Sequence, residues 1–202
     1  MHGSCALPVA KPRHGDATAP GPSTVSVNLA ARELAEPSLV SQVSEALDQA
    51  NLDPAALCLE ITETCLVEDP QGAAAVLASL RDLGVRLSID DFGTGYSSLL
   101  YLRQYAVDFL KIDRSFVAGL GHNPQDDAII ASVIGLAHSF GLTVVAEGVE
   151  TTLQADRLRE MGCDYGQGFL WSRPVPADQL PADLRYAEMN SGPLTGLGRI
   201  GG

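Results

Sequence analysis

Basic residues are scarce in this sequence. Lysine and arginine together number 13 against 25 aspartates and glutamates, which gives a formal net charge of -12 at pH 7. Proteins that bind DNA or RNA carry the opposite balance, because their affinity depends on cationic contacts to the phosphate backbone. We therefore exclude a nucleic-acid polymer as the main partner. A small anionic ligand would need metal ions to supply the positive charge that the chain lacks.

Cysteine and histidine patterns typical of structural or metal sites are also missing. The cysteines are scattered and form no Cys-x-x-Cys pair: Cys5, Cys58, Cys65 and Cys163. A disulfide scaffold and a zinc site are both disfavoured, and a reducing cytoplasm is the predicted location. The sequence shows neither a signal-peptide pattern nor an apolar run of membrane-spanning length, so we predict no membrane segment of its own.

Composition divides the chain into three parts. Residues 1–24 are rich in proline, alanine and glycine without a hydrophobic period, and we predict a disordered leader or linker there. Residues 187–202 are glycine-rich and are predicted to form a flexible tail. Hydrophobic residues make up 46% of the chain, which is enough for one domain with a sizeable core, placed at residues 25–186.

Strand-like and helix-like segments alternate through this domain. Six short apolar segments predict strands at residues 25–29, 57–63, 87–91, 109–113, 143–147 and 165–170. Segments with a helical period follow at 37–50, 70–83, 124–140 and 152–161, and short helices are predicted from residues 99 and 176. This alternation predicts an α/β fold with a parallel sheet and right-handed crossovers. Six repeats favour most of a (β/α) barrel over an open doubly wound sheet.

A polar or charged residue lies at or near the end of every predicted strand. These residues are Asn28, Glu60, Asp90 with Asp91, Lys111 with Asp113, Glu147 and Gln167. One such residue is most simply a cap, but six of six indicate an active site, because barrel strands converge at this end. Two adjacent aspartates repel each other unless a cation lies between them. A ligand set of oxygen atoms selects Mg²⁺ or Mn²⁺ over zinc, and a pair of such ions suits attack at phosphorus.

The order of these motifs resembles the EAL-domain family. The matching segments cover about Val25 to Pro176 and are Asn28-Leu29, Glu60-Ile61-Thr62-Glu63, Asp90-Asp91-Phe92-Gly93-Thr94-Gly95-Tyr96-Ser97-Ser98, Lys111-Ile112-Asp113, Ala146-Glu147-Gly148-Val149-Glu150 and Gln167-Gly168. Members of that family are bacterial phosphodiesterases that linearise cyclic di-GMP on a TIM-like barrel. The resemblance implies a metal-dependent hydrolase of second-messenger signalling, with cyclic di-GMP as substrate and linear pGpG as product.

The resemblance also implies a two-metal site that holds Mg²⁺ or Mn²⁺. Asn28, Glu60 and Asp90 would bind one metal ion. Asp90 would bridge to a second ion, which Asp91 and Glu147 would complete. These roles are carried over from the family, residue by residue.

Further roles follow from the same resemblance. Lys111 and Gln167 would orient and polarise the attacking water, with Glu147 beside them in the catalytic group. Glu63 would stabilise the loop at residues 92–98, through which the family couples homodimerisation to catalysis. Two more residues are expected to contact the substrate, Asp113 and Glu150.

The sequence departs from the family pattern at its beginning. The Glu-Ala-Leu motif that names the family has no match in residues 1–24. The sequence Glu45-Ala46-Leu47 lies on a helical stripe after Asn28, so we interpret it as a coincidence. We therefore expect an N-terminally truncated, incomplete barrel with about six of eight strands and one weakened metal site. A sensory or GGDEF-type domain is expected to be missing from the same end.

Three functional hypotheses stay open at this point. The first is the cyclic di-GMP phosphodiesterase, with activity lowered by the missing motif. The second is a catalytically inactive module that senses the nucleotide or docks a protein through the loop at 92–98. The third is a different metal-dependent phosphodiesterase on a similar barrel, which does not explain the full order of the motifs.

Overall fold

The fold is centred on a sheet of parallel strands. A computed structural model of the chain describes residues 24–68, 70–93 and 105–174, together with the backbone of residues 187–188 and 197–199. The parallel strands follow sequence order and are β1 (Val25–Leu29), β2 (Leu57–Thr62), β3 (Arg86–Phe92), β4 (Phe109–Ile112), β5 (Thr143–Glu147) and β6 (Tyr165–Gln167). All six predicted strands are confirmed, and β6 ends three residues earlier than expected.

The four long predicted helices are confirmed as well. The helices are α1 (Ala31–Leu34), α2 (Leu39–Ala50), α3 (Cys65–Glu68), α4 (Pro70–Asp82), α5 (Arg114–Val117), α6 (Pro124–Ser139) and α7 (Thr152–Glu160), with a 3-10 turn at Pro54–Ala56. The single-turn helices were not predicted, because four residues are too few to show a helical period. Among the described residues, none of the helices has the length and apolar character that crossing a membrane requires. The helices predicted from residues 99 and 176 lie outside the described residues.

Side-chain oxygens cap the N-termini of two of the long helices. The side chain of Asn123 accepts a hydrogen bond from the N–H of Gln125 at 3.0 Å, directly before the proline that starts α6. Thr151 and Gln154 form a reciprocal capping box at the start of α7. Such caps satisfy backbone N–H groups that the first helical turn leaves without partners. They fix where each helix begins and therefore the path of the loop that precedes it.

The six strands form an incomplete barrel. Within the described part of the chain β1 is the end strand, so the sheet stays open on that side. Beyond β6 the sheet continues with two short strands, β8 (Leu197–Arg199), antiparallel to β6, and β7 (Ala187–Glu188), parallel to β8. These strands fall in the segment that composition predicts to be a flexible tail, and the flexibility of that segment stays a prediction.

Two hydrophobic clusters lie on opposite faces of the sheet. The larger one joins the outward-facing side chains of the strands to the helices around them, including Ile61, Leu87 and Leu110. The smaller one lies on the inner face and consists of Cys58, Phe109, Val145 and Tyr165. Strand side chains alternate between faces, so the inner face continues with every second residue. That alternation brings the polar strand ends above the inner cluster.

Candidate active site

The inner face of the sheet is built in two layers. We call the lower one the floor layer, which consists of Ser26, Cys58, Ser88, Phe109, Val145 and Tyr165. The residue two positions later on each strand lies on the same face, and these residues with Asp91 form the mouth layer: Asn28, Glu60, Asp90, Asp91, Lys111, Glu147 and Gln167. The mouth layer lies at the C-terminal end of the strands, where barrel enzymes carry their active sites.

A bulge in β3 allows two consecutive aspartates to belong to the mouth layer. Ile89 pairs with Leu110 and Phe92 pairs with Ile112. Between these two pairs β3 advances by three residues, whereas β4 advances by two. Leu87, Ile89 and Phe92 all belong to the larger hydrophobic cluster on the outer face of the sheet. Regular alternation would place residue 91, rather than Phe92, on that face. The extra residue leaves both carboxylates clear of the outer core. Asp91 adopts a left-handed backbone with φ 54°, which aspartate tolerates better than most residues.

Lys111 is the cation at the centre of the mouth layer. Its Nζ lies 2.9 Å from Glu60 Oε2, 3.1 Å from Asp90 Oδ1 and 2.6 Å from Glu147 Oε1. The side chain is only 6% exposed. Burial alone would lower the pKa of Lys111, but the carboxylates of Glu147, Glu60 and Asp90 outweigh it and raise that pKa well above its usual range. Lys111 therefore stays charged and links its own strand, β4, to the carboxylates of three other strands, β2, β3 and β5.

Three carboxylates of the mouth layer form a set that fits a metal ion. Single oxygen atoms of Asp90, Asp91 and Glu147 all lie within 4.8 Å of one another. The pKa of Glu147 is raised by burial and by Asp90, although Lys111 opposes the shift. Like charges held this close favour a bound cation, and oxygen donors favour hard cations such as Mg²⁺ and Mn²⁺.

Asp91 has a second acidic neighbour in Asp113. Burial, Asp90 and Asp113 together raise the pKa of Asp91. Burial opposes ionisation of Asp113 too, but hydrogen bonds from the hydroxyl and the N–H of Ser115 and from the N–H of Arg114 lower its pKa. Asp113 is the N-cap of α5 in this structure, which explains its position without a substrate. Its predicted contact with substrate stays a prediction.

The remaining predicted site residues occupy less central positions. Asn28 is exposed and pairs in register with Glu60, and Gln167 is half-buried and pairs with Glu147. Glu63 is buried directly after β2, but the loop it was predicted to stabilise is described only at residues 92 and 93. Glu150 is exposed, and its N–H donates to Gln154 Oε1 at 2.8 Å.

The loops after β5 and β6 are held against each other. The N–H of Val149 donates to the carbonyl of Gln167, and the N–H of Leu170 donates to the carbonyl of Val149, both at 3.0 Å. A Cβ at Gly168 would overlap the backbone of Val149, so only glycine permits this approach. These contacts fix the segments that carry Glu147 and Gln167 relative to each other.

Comparison with known proteins decides the family. The sequence pattern of the EAL domain matches residues 9–174. This chain belongs to the EAL domain family. The match begins within the segment that composition predicts to be a leader, and it ends close to the limit of the motif resemblance at residue 176.

Characterised EAL proteins are close in sequence and in structure. The bifunctional diguanylate cyclase/cyclic di-GMP phosphodiesterase MucR of Pseudomonas aeruginosa is 45% identical over 160 residues, which cover 79% of this chain and 23% of MucR. The PaMucR phosphodiesterase in complex with c-di-GMP superposes with a TM-score of 0.75 at 45% identity, covering 78% of this chain and 64% of that one. The BlrP1 manganese/cy-diGMP complex of Klebsiella pneumoniae gives 0.72 at 37% identity, covering 77% and 40%. This EAL domain thus spans about a quarter of the length of MucR.

Sequence reasoning missed the floor layer of this EAL domain. Phe109 and Tyr165 each lie two positions before a mouth residue and were interpreted simply as strand residues. Ser26 and Ser88 are buried on the same face, and their hydroxyls have no hydrogen-bond partner among the described residues. The spacing of two along each strand was available in the sequence as a signal for this layer.

Proposed function

We propose that this EAL domain binds cyclic di-GMP and hydrolyses one of its phosphodiester bonds to give linear pGpG. The observation that carries the proposal is the convergence of Asp90, Asp91 and Glu147 within 4.8 Å, beside a buried lysine. Binding of c-di-GMP by the MucR structure supports the choice of ligand. The carboxylates themselves would repel a phosphate diester, so the proposal requires cations at the mouth layer.

The residues present fit a pair of divalent cations, which we assign as Mg²⁺ or Mn²⁺. Asn28, Glu60 and Asp90 would hold one ion, and Asp90, Asp91 and Glu147 would hold the other. When bound, the ions supply positive charge beside the phosphate and make water a stronger acid. The donor set supports this assignment because it contains carboxylate and amide oxygens and lacks cysteine and histidine. The BlrP1 complex contains manganese with the cyclic dinucleotide, which favours the same class of ion.

The chain's own groups arrange the reactants. Lys111 Nζ keeps Glu60, Asp90 and Glu147 in place and provides a fixed positive charge that offsets part of their repulsion. Gln167 lies beside Glu147 in register, where its amide can orient a water molecule near the phosphate. Charge stabilisation of this preorganised kind is the main contribution of such sites to rate. The floor layer lies below the site, and all six of its residues are buried.

A second candidate is nucleotide binding without turnover. The observation that favours it is the exposure of Asn28 on β1, which is the end strand of the sheet in the described part of the chain. A metal ligand on an open edge is less constrained than one between two strands. This candidate predicts affinity for cyclic di-GMP without linear product.

The test is incubation of the chain with cyclic di-GMP and Mg²⁺ or Mn²⁺, followed by chromatography of the products. We expect pGpG in the presence of either ion and none with EDTA. Bound cyclic di-GMP with no pGpG would favour the second candidate. Neither binding nor product would contradict both.

The control is Asp91→Asn, which removes one carboxylate but preserves the shape of the side chain. Loss of a residue that only hydrogen-bonds to a metal ligand lowers metal affinity or activity about 10- to 100-fold. Loss of a ligand itself should lower activity by at least as much. Turnover that survives in Asp91→Asn at the wild-type rate would indicate a contaminating enzyme.

A further inference from the structure

Phe169 is an exposed aromatic side chain beside the mouth layer. It is 49% exposed, more than any other large hydrophobic residue that the structure describes. Aromatic residues make up only 5% of the chain, and buried neighbours such as Tyr165 show the more usual position for them. An aromatic ring left in water costs free energy, and a ligand that covers the ring would recover it.

Arg173 lies over the ring of Phe169. Its guanidinium carbon is 4.7 Å from the ring centroid, within the range of a cation–π contact. The ring remains half exposed with the guanidinium in place, so it still offers area to a second planar group. The pair therefore combines a flat π-surface with a positive charge, in a chain whose net charge is -12.

The backbone places this pair at the edge of the candidate active site. Phe169 follows the mouth residue Gln167 by two positions, and two residues span at most about 7 Å. Hydrogen bonds of 3.0 Å on either side of it, to Gln167 and from Leu170, attach the segment to Val149. The missing side chain of Gly168 allows that close contact. The ring is therefore held on a fixed part of the backbone.

We propose that Phe169 is a stacking surface for one guanine base of the bound cyclic dinucleotide, and that the guanidinium of Arg173 supplies positive charge at the same subsite. The proposal rests on the proposed function, because it assumes that the scissile phosphate lies at the mouth layer. A base is joined to its phosphate through a single sugar, so a base can reach the rim while the phosphate occupies the centre. Stacking on an aromatic side chain is a common way to bind a base whose edges are not read.

A protein-docking surface and a purely structural role both fit the exposed ring less well. A hydrophobic docking surface would need further exposed apolar side chains, whereas the neighbouring Leu170 and Trp171 are half-buried against the core and a charged group lies over the ring of Phe169. A purely structural role would bury the ring. The combination of an exposed ring and a guanidinium matches a nucleotide, which offers a planar base and a phosphate charge.

The test measures the affinity of cyclic di-GMP for Phe169 variants by titration calorimetry in the presence of Mn²⁺. Phe169→Leu preserves apolar area but removes the π-surface, and we expect binding about 5- to 100-fold weaker than wild type. Phe169→Tyr keeps the ring and should bind within about threefold of wild type. Phe140→Leu is the matched control, since Phe140 is also an exposed phenylalanine but follows α6 away from the strand ends.

The outcomes separate this subsite from the proposed function. Equal affinity of wild type and Phe169→Leu would overturn the stacking subsite and leave the proposed function standing. A Phe169→Tyr variant as weak as Phe169→Leu would also overturn it, because stacking requires only the ring. Absence of any cyclic di-GMP binding by the wild-type chain would overturn the proposed function and the subsite with it. Mn²⁺ affinity should stay at the wild-type value in every Phe169 variant.

Discussion

The floor layer and the mouth layer occupy the same strands, two residues apart, and have opposite chemistry. The floor carries Cys58, Phe109, Val145 and Tyr165 in a small hydrophobic cluster. The mouth carries four carboxylates around one lysine: Glu60, Asp90, Asp91, Glu147 and Lys111. The floor stabilises the fold by burying apolar area, whereas the mouth holds like charges together at a cost in stability. A difference of two positions along each strand thus separates buried residues of the floor from the charged residues of the candidate site.

The cysteines illustrate the same separation. Burial raises the pKa of Cys58, in the floor layer, to about 12, with the Glu60 carboxylate above it adding to the shift. Burial likewise raises the pKa of Cys163 to about 12. Both thiols stay protonated and unreactive at neutral pH, so they behave as small apolar side chains.

The largest effect that distinguishes the mouth layer from the floor layer is expected for Lys111→Met in the mouth layer. Removing the cation leaves Glu60, Asp90 and Glu147 without their ion-pair partner, and breaking a buried pair costs about 3–5 kcal/mol. Urea unfolding in EDTA should show this loss. Added Mn²⁺ should restore much of the stability, because an ion that binds only the folded state stabilises it. A variant as stable as wild type in EDTA, or one that Mn²⁺ does not rescue, would contradict this view of the mouth.

Phe109→Ala applies a similar loss to the floor layer. Truncating a buried phenylalanine costs about 3–5 kcal/mol through lost burial and the cavity left behind. Here Mn²⁺ should add no more stability than it adds to wild type, because the mouth ligands are unchanged. Phe140→Ala is the matched control and should cost clearly less, because Phe140 is 38% exposed whereas Phe109 is 6% exposed. Rescue of Phe109→Ala by Mn²⁺ beyond the wild-type gain would show that the two layers are not separable.

Gly168→Ala tests the contact between the loops above the mouth layer. The added Cβ would overlap the backbone of Val149, and overpacking of this kind costs about 1–3 kcal/mol. Affinity for cyclic di-GMP should fall as well, since Gln167 and Glu147 would shift relative to each other. Gly135→Ala is the matched control, because nothing lies within 4 Å of its added Cβ in α6. That change should stabilise the chain by up to about 1 kcal/mol, as alanine favours helix over glycine.

The smallest effect is expected at a solvent-accessible ion pair. Arg157 contacts Asp127 at 2.6 Å and thereby holds the pKa of Asp127 below its ordinary value of 3.8. A lowered folded-state pKa contributes stability above the ordinary value, and that stability is lost as the pH falls through the folded-state pKa. Asp127→Asn should therefore lower the urea midpoint slightly at pH 7. The difference from wild type should shrink below about pH 3.8.

The matched control for Asp127→Asn is Asp156→Asn. Asp156 pairs with Arg159 within the same helix and joins no two elements. We expect no measurable change in its urea midpoint. A cost at Asp127 as large as that at Lys111 would remove the distinction between partly exposed and buried ion pairs.

Periodicity was sufficient to predict the six strands, the four long helices and the position of the polar strand ends. The predictions hold because the strands are short apolar runs and because Asn123 and Thr151 are strong helix caps. One-turn helices such as α5 contain too few residues for a period. The bulge at Asp90 and Asp91 could not be predicted, since it depends on how β3 pairs with β4.

The sequence was sufficient to predict which residues form the candidate site, but not which of them contact each other. Strand ends converge in any parallel barrel, so Glu60, Asp90 and Glu147 were expected to lie together. The sequence does not show that Lys111 bridges all three, because that depends on the length and path of a flexible side chain through a buried space. Phe169 was placed in a strand by its apolar neighbours, whereas it lies beyond the end of β6 and is exposed.

The most direct test of the account is a Mn²⁺ titration of wild type and Asp91→Asn, followed by thermal unfolding. The account predicts that Mn²⁺ raises the melting temperature of the wild-type chain and that Asp91→Asn needs at least about 10-fold more Mn²⁺ for the same rise. Without metal, Asp91→Asn should melt at the same temperature as wild type or higher, because it removes one of several repelling carboxylates. Equal Mn²⁺ dependence of the two proteins would contradict a metal site at the mouth layer.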